Sequence, residues 1–222
     1  MLYRLIPVLI CLCLAQSALA GPWLREKGST FSAVSFASTY NLETAATTFL
    51  EYGLTDKTTL VADIGMARLQ NSPDGGYITL SFRRAIGSPD RPSKLAYEIG
   101  AGVGWIGDET LPHIRTGLTW GRGMTWGEKS GWVTVEGAIV WDLTHELHVT
   151  KIDTTIGVNF SDVTSGILQL YTAHVDGKGI ATIAPSVVFT PRDAKFRVQI
   201  GSESQIGDLG NSALKIGIWR EF

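Results

Sequence analysis

Ten charged side chains occupy alternate positions in segments whose other face is apolar, which predicts that they share one side of a sheet. They are Glu51, Asp63, Arg83, Glu98, Arg115, Glu136, Lys151, Asp153, Lys195 and Arg197. If this side of the sheet faces the inside of a barrel, the charges can form a constriction that selects among hydrated solutes. They can equally form ion pairs that fill a narrow interior and neutralise one another. The spacing leaves both interpretations open.

Glycine bears on the same question, because Gly100, Gly102 and Gly104 share the predicted face of Glu98. Their missing side chains would leave volume inside a lumen. Glycine also eases the bending of a strand in a barrel wall. The sequence leaves both interpretations of the glycines open.

The segment His145-Glu146-Leu147-His148 has residue types that can bind a metal. A spacing of three puts its two histidines on opposite faces of a strand, and the helical zinc motif needs five positions. We therefore interpret it as a surface turn, with no metal and no cofactor implied. No His-x-Ser arrangement on one strand supplies a hydrolase site, so the sequence predicts no enzyme and no catalytic residues.

Strands must position these residues, because the hydrophobic pattern after residue 29 has a period of two. No helix start signal interrupts the series, which predicts one all-β domain over residues 21–222. Ten strands is the alternative count, since Leu168 and Leu170 compete with Ile167 and Tyr171 in one segment. The twelve predicted strands are 29–40, 45–53, 57–68, 76–86, 94–105, 110–121, 131–142, 147–160, 164–175, 178–190, 193–203 and 211–222.

Aromatic residues favour a membrane barrel over a soluble β-sandwich, which would also alternate. Tyr40 and Trp141 lie at one set of predicted strand ends, and Trp120, Trp132 and Phe160 lie near the other set. Two such girdles around an apolar band are typical of a transmembrane antiparallel β-barrel of about 12 strands. Pro185 falls in mid-strand and predicts a β-bulge, because a closed barrel has no free edge.

Residues 1–20 predict a cleaved secretory signal peptide, with Arg4 before an apolar run and a small-x-small site at Ala18-Leu19-Ala20. Both cysteines, Cys11 and Cys13, lie inside it. The chain has 19 basic and 21 acidic residues and a net charge of −2, which gives no reason to expect a nucleic-acid partner.

The last strand ends on Phe222, with Ile218, Ile216 and Leu214 at alternate positions. It resembles the C-terminal assembly signal of bacterial outer-membrane β-barrels. The segment 49–60 (FLEYGLTDKTTL) is similar to the strand, turn and strand of barrel porins of the phenol-degradation MetA-pathway type. The resemblance implies a bacterial outer-membrane location, contact with outer-membrane lipid, and delivery to the barrel-assembly machinery through Phe222. It also implies that both chain ends are periplasmic.

The sequence therefore predicts a porin-like transport protein, a narrow passive channel for small hydrophilic solutes. Twelve strands lie between packed barrels of about eight and open porins of about sixteen. A non-conducting structural barrel with an ion-paired lumen is the main alternative, and a membrane-embedded hydrolase is a further one. The residues expected at the narrowest part are Glu98, Arg115, Glu136, Lys151 and Asp153.

Overall fold

The computed structural model describes residues 21–222, so the predicted signal peptide lies outside the described residues. Twelve β-strands form the chain from residue 30 onwards, as the alternation predicts. They are β1 (Thr30–Thr39), β2 (Thr44–Thr55), β3 (Thr58–Arg68), β4 (Gly75–Ile86), β5 (Ser93–Ile106), β6 (Glu109–Trp126), β7 (Lys129–Asp142), β8 (His148–Ser161), β9 (Thr164–Val175), β10 (Lys178–Phe189), β11 (Arg197–Gln205) and β12 (Asp208–Glu221).

The strands form a closed antiparallel barrel in which each pairs with its neighbours in sequence and β12 returns to β1. The closure includes two backbone hydrogen bonds between Thr30 and Phe222, of 2.9 and 3.2 Å. An even strand count puts both residues at one end of the barrel, which we call the terminal end. The connections at the opposite, distal end are short. The predicted fold class is confirmed.

The outward face is an apolar belt, since side chains such as Leu80, Phe82 and Ile99 are about half exposed along the outside. The inward face carries Glu98 and Arg115, which are buried. This inside-out distribution is the one that strands need when lipid surrounds a barrel. Among residues 21–222, no helix is long and apolar enough to cross a membrane.

The inward face is less uniformly polar than alternation predicts. Phe31 and Trp219 meet edge to face inside the barrel, with ring centroids 6.4 Å apart. Trp132, which we expected in an aromatic girdle, lies inward and packs against the same apolar cluster. The cluster narrows the terminal half of the lumen. Its buried members are Phe31, Ala33, Phe49, Val61, Ile167, Val188 and Trp219.

Strand β11 begins at Arg197, four residues later than predicted. The preceding connection turns at Pro191, where the Ala194 N–H donates to the Pro191 carbonyl at 3.1 Å, and Asp193 has a φ of 61°. This turn ends the alternation before Lys195. Lys195 therefore lies outside the strand and is exposed.

The prediction of a β-bulge at Pro185 is wrong. Pairing between β10 and β9 passes through Pro185↔Leu168 without a shift. Pairing between β10 and β11 omits Ala184 and Pro185 and resumes at Ser186↔Gly201 in the same register. Pro185 has no backbone N–H to donate, and the pairing with β11 is interrupted at this point. The register is the same on both sides of the interruption, so no extra residue is inserted.

Close approach to β4 explains two of the three inward glycines of β5. A Cβ at Gly102 would overlap the Ile78 carbonyl, and one at Gly100 would overlap the side chain of Ser81. A Cβ at Gly104 would meet nothing closer than 3.5 Å. Gly100 and Gly102 thus favour the interpretation of wall curvature rather than free lumen volume.

We expect Gly102→Ala to lower the free energy of unfolding by about 2 kcal/mol, because the added methyl overpacks the backbone of β4. Gly104→Ala is the matched control, and we expect it to be neutral or slightly stabilising, since it removes unfolded-state freedom without a clash. Urea titrations of the detergent-folded barrel measure both. Equal stabilities of the two variants would contradict the close-approach argument.

Candidate pore-lining site

A ladder of alternating charges follows the inner wall from the terminal third of the barrel to its middle. Arg83 contacts Glu51 through one guanidinium nitrogen and Glu98 through another, the latter at 2.9 Å. Arg115 contacts Glu98 at 3.0 Å and also Glu136. Because β4 to β7 are consecutive in the barrel, four of these side chains lie on neighbouring strands. We call Glu51, Arg83, Glu98, Arg115 and Glu136 the charge ladder.

Burial makes the pairing within the charge ladder obligatory. Glu51 and Arg83 are each 1% exposed. A buried charge is costly unless it is paired and hydrogen-bonded. Arg83 satisfies this condition from both sides, since its fork reaches carboxylates on β2 and β5. The ladder is therefore one electrostatic unit.

An N-terminal strap, residues 21–29, enters the terminal end and extends the charge ladder. Arg25 donates from Nε to Glu51 at 2.6 Å, and its backbone N–H donates to the Thr59 hydroxyl at 2.9 Å. Further along the strap, Pro22 is buried and lies over Gly121 of β6. The strap thus crosses the lumen between the β2–β3 wall and β6. Alternation could not reveal it, because the strap has no strand pattern.

A second charged group lies in the distal half. Lys151 is 3% exposed, and its Nζ is 3.8 Å from the Asp153 carboxylate, beyond hydrogen-bonding distance. Asp63 accepts a hydrogen bond from the Tyr77 hydroxyl at 3.1 Å. A cavity of about 70 Å³ adjoins Lys151, Asp63, Tyr77 and also Arg115 of the ladder. Lys151 is therefore paired less closely than Arg83, whose guanidinium donates hydrogen bonds to two carboxylates.

The structure brings together all the predicted lumen charges except Lys195 and Arg197. Lys195 is in the connection before β11, and Arg197 is exposed at the rim of the terminal end. The opposite wall is mainly neutral, apart from the Lys215–Glu203 pair at 2.7 Å. Its buried polar residues are Ser165, Gln169, Thr182, Ser186 and Gln199. A role of the charged wall in selecting solutes remains a prediction.

The histidine motif divides between two environments at the distal end. His145 lies in the connection 143–147, with Nδ1 2.9 Å from the Asp142 carboxylate and Nε2 3.0 Å from that of Glu109. His148 instead stacks against Trp141, with ring centroids 5.7 Å apart. Among the described residues, no group of three or more His, Cys, Asp or Glu side chains has an arrangement that could hold a metal ion. The hydrogen bond to Asp142, followed by the charges of Asp142 and Glu109, raises the pKa of His145.

This geometry predicts a pH-dependent connection 143–147. A raised pKa in the folded state means that protonated His145 stabilises this connection fully below its unfolded pKa of about 6.5. The contribution is lost as the pH rises through the folded pKa. The protection factors of the amides of residues 143–147, which are corrected for the intrinsic acceleration of exchange with pH, should therefore fall as the pH rises through the folded pKa. His145→Gln should abolish this dependence, whereas His148→Gln should retain it; an unchanged profile in His145→Gln would refute the assignment.

Phe222, on which the predicted assembly signal depends, lies just beyond the end of β12. Phe222 is 63% exposed at the terminal end. The guanidinium of Arg220 lies 4.3 Å from its ring centroid. The aromatic terminus is thus accessible from outside the barrel, although recognition by the assembly machinery remains a prediction.

No family model and no curated protein matches the chain. Among solved structures, the chain is similar to the KdgM porin, with a TM-score of 0.61 and 8% identity over 86% of this chain and 99% of that one. It is similar to the COG4313 outer membrane channel from Pseudomonas putida F1, with a TM-score of 0.61 and 14% identity over 93% and 100% of the two chains. The NanC porin follows, with a TM-score of 0.53 and 10% identity over 86% and 97%. At these identities the similarity shows the fold alone, a closed antiparallel β-barrel that this chain shares with those outer-membrane porins and channels.

Proposed function

We propose that the protein is a narrow passive channel for small hydrophilic solutes in a bacterial outer membrane. One observation carries this proposal: a closed barrel of twelve strands has an apolar outer belt and a charged and polar inner wall. A polar interior enclosed by an apolar belt is the arrangement of water-filled membrane barrels. The solved porins and channels of the same fold support it.

The features that narrow the lumen support a selective rather than a wide channel. The strap crosses the terminal half, and the apolar cluster around Phe31 and Trp219 fills part of the same region. The charge ladder supplies a polar path along one wall. A solute that passes must be small and must exchange its hydration for these polar groups.

Single-channel recording tests the proposal. The mature chain, residues 21–222, is folded in detergent, checked by its heat-modifiable gel shift, and inserted into a planar bilayer. We expect discrete and reproducible conductance steps. A correctly folded barrel that remains silent across the voltage range would overturn the channel.

A second candidate function is a non-conducting structural barrel, and the charge ladder is the observation that favours it. Every ladder carboxylate has a guanidinium partner, and Glu51 and Glu98 each have two. Charged side chains can fill the lumen of a stable barrel only when each charge is neutralised by a partner in this way. A silent barrel whose stability collapses when the ladder is broken would identify this role.

The histidines do not favour the hydrolase alternative. His113 lies inside the barrel 2.8 Å from the Thr79 hydroxyl, and His145 binds two carboxylates in a connection. Neither arrangement places a serine beside a base on the lipid-facing wall. We therefore propose a non-enzymatic function.

We also propose how the chain reaches the outer membrane and which type of porin it is related to. Residues 1–20 would direct secretion and be cleaved, and Phe222 would present the chain to the barrel-assembly machinery. The terminal end would then be periplasmic. Kinship with porins of the MetA-pathway type stays a proposal, supported by the segment 49–60.

Lys151→Gln should shift ion selectivity toward cations about threefold, because it removes a buried positive charge that has no hydrogen-bonded carboxylate partner within residues 21–222. Reversal potentials in a salt gradient measure the change. Lys195→Gln is the control, since Lys195 is exposed outside the strands. If both variants conduct with wild-type selectivity, Lys151 does not face the conduction path.

A further inference from the structure

A cavity of about 580 Å³ lies at the terminal end, between the strap and strands β7 to β9, with the start of β11 at its edge. Its volume is within the range of sites that bind small molecules. None of the charge-ladder residues lines it. Its lining includes Trp23, Trp132, Asn159, Ser165 and Arg197.

Two tryptophan rings form part of the cavity lining, and each lies over a glycine of the barrel wall. A Cβ at Gly157 would overlap the indole of Trp132, and one at Gly121 would approach the indole of Trp23 to 2.9 Å. The glycines allow the rings to lie against the wall. Trp23 remains 38% exposed. The cavity thus has aromatic surface available for stacking.

Hydrogen-bonding groups lie on the same side of the cavity as Trp132. Asn159 donates from Nδ2 to the Ser130 hydroxyl at 3.0 Å, and the Ser165 hydroxyl donates to Asn159 Oδ1 at 2.8 Å. These contacts fix the orientation of the amide. Within residues 21–222, no ion pair engages Arg197, so its guanidinium is available as a donor.

We propose that this cavity binds a neutral sugar of one or two rings. The C–H face of a sugar ring packs on indole, while its hydroxyls exchange hydrogen bonds with amide, hydroxyl and guanidinium groups. Glu128 and Asp162 also line the cavity and offset Arg197 and Lys129, which favours a neutral ligand. The inference rests on the proposed function, because it names the solute class that the channel would carry.

Saturation-transfer NMR with maltose tests the site without requiring conductance. Maltose should receive saturation from the folded barrel, and sorbitol should receive little, since it has hydroxyls but no ring to stack. Trp132→Ala should weaken maltose binding about tenfold. Trp141→Ala is the matched control, because Trp141 is at the distal end and exposed to the outside.

Asn159→Ala provides a second variant if Trp132→Ala does not fold, and it should weaken binding about fivefold through the lost hydrogen bonds. Absence of maltose binding by the folded wild type, or equal binding of maltose and sorbitol, would overturn the site. Conductance without maltose binding would reject the sugar site and retain the channel. Maltose binding by a silent barrel would retain the site and reject the channel.

Discussion

Arg83→Met should lower the free energy of unfolding by about 3 kcal/mol, the range measured when one partner of a buried ion pair is removed. The substitution keeps much of the side-chain volume but leaves Glu51 and Glu98 with one guanidinium each. The remaining buried cluster of Arg25 and the ladder then has one excess negative charge. Urea titration of the detergent-folded barrel, followed by the heat-modifiable gel shift, measures the loss.

Arg84, the next residue along the chain, provides the control for Arg83→Met, since it has the same charge on the same strand. Arg84 lies on the outward face of the same strand and is exposed, so Arg84→Met should change stability by less than about 0.5 kcal/mol. Equal effects of the two substitutions would mean that the ladder is not an electrostatic unit.

The alternation of the ladder also predicts a rescue. Adding Glu98→Gln to Arg83→Met removes adjacent opposite charges and leaves two balanced pairs, Arg25 with Glu51 and Arg115 with Glu136. We therefore expect the double variant to regain about 1–2 kcal/mol relative to Arg83→Met, because charges in one network are not additive. A double variant less stable than the single one would show that Glu98 contributes chiefly through contacts other than its charge.

Alternation predicted the barrel because lipid imposes the same rule on every strand. In β5, the apolar residues Leu95, Ile99 and Val103 alternate with residues on the face of Glu98. The sequence therefore shows both that this segment is a strand and which of its faces points inward. The same rule failed before β11. There the turn at Pro191 and the positive φ of Asp193 interrupt the strand. Parity counts residues and does not detect where the extended backbone ends.

The interior was less predictable than the wall. Parity placed Arg83 and Glu98 inward, but their pairing depends on the stagger between β4 and β5, where they are direct cross-strand partners. Stagger is set by the closure of the whole barrel. The apolar cluster was missed for a related reason, since Phe31 lies on the inward face of a strand that also has the apolar residues Val34 and Phe36 on its outward face. Which side chains contact one another inside the barrel could therefore be determined only from the three-dimensional structure.

Arg25→Gln should raise single-channel conductance about twofold, because it releases the strap from the wall and widens the narrow terminal half. Arg25 holds the strap through Glu51 and lies 4.5 Å from the Phe31 ring centroid. Its loss leaves Glu51 paired with Arg83, so the barrel should remain folded. Arg25 also contacts Glu221 at 3.4 Å, but Glu221 is exposed, whereas the loss of Arg83 removes a partner from two buried carboxylates at once.

The strap also provides its own control, Lys27, which is exposed and has no ion-pair partner among residues 21–222. Lys27→Gln removes the same charge from the same segment and should leave conductance unchanged. Faster amide exchange at Gly28 and Gly53, whose N–H groups hold the strap to β2 at 2.8 and 3.0 Å, should accompany the gain in Arg25→Gln alone. Faster exchange without a change in conductance would mean that solutes pass beside the strap rather than through the space it occupies. If neither the amide exchange nor the conductance changes, the backbone hydrogen bonds, and not the Arg25–Glu51 pair, hold the strap in the lumen.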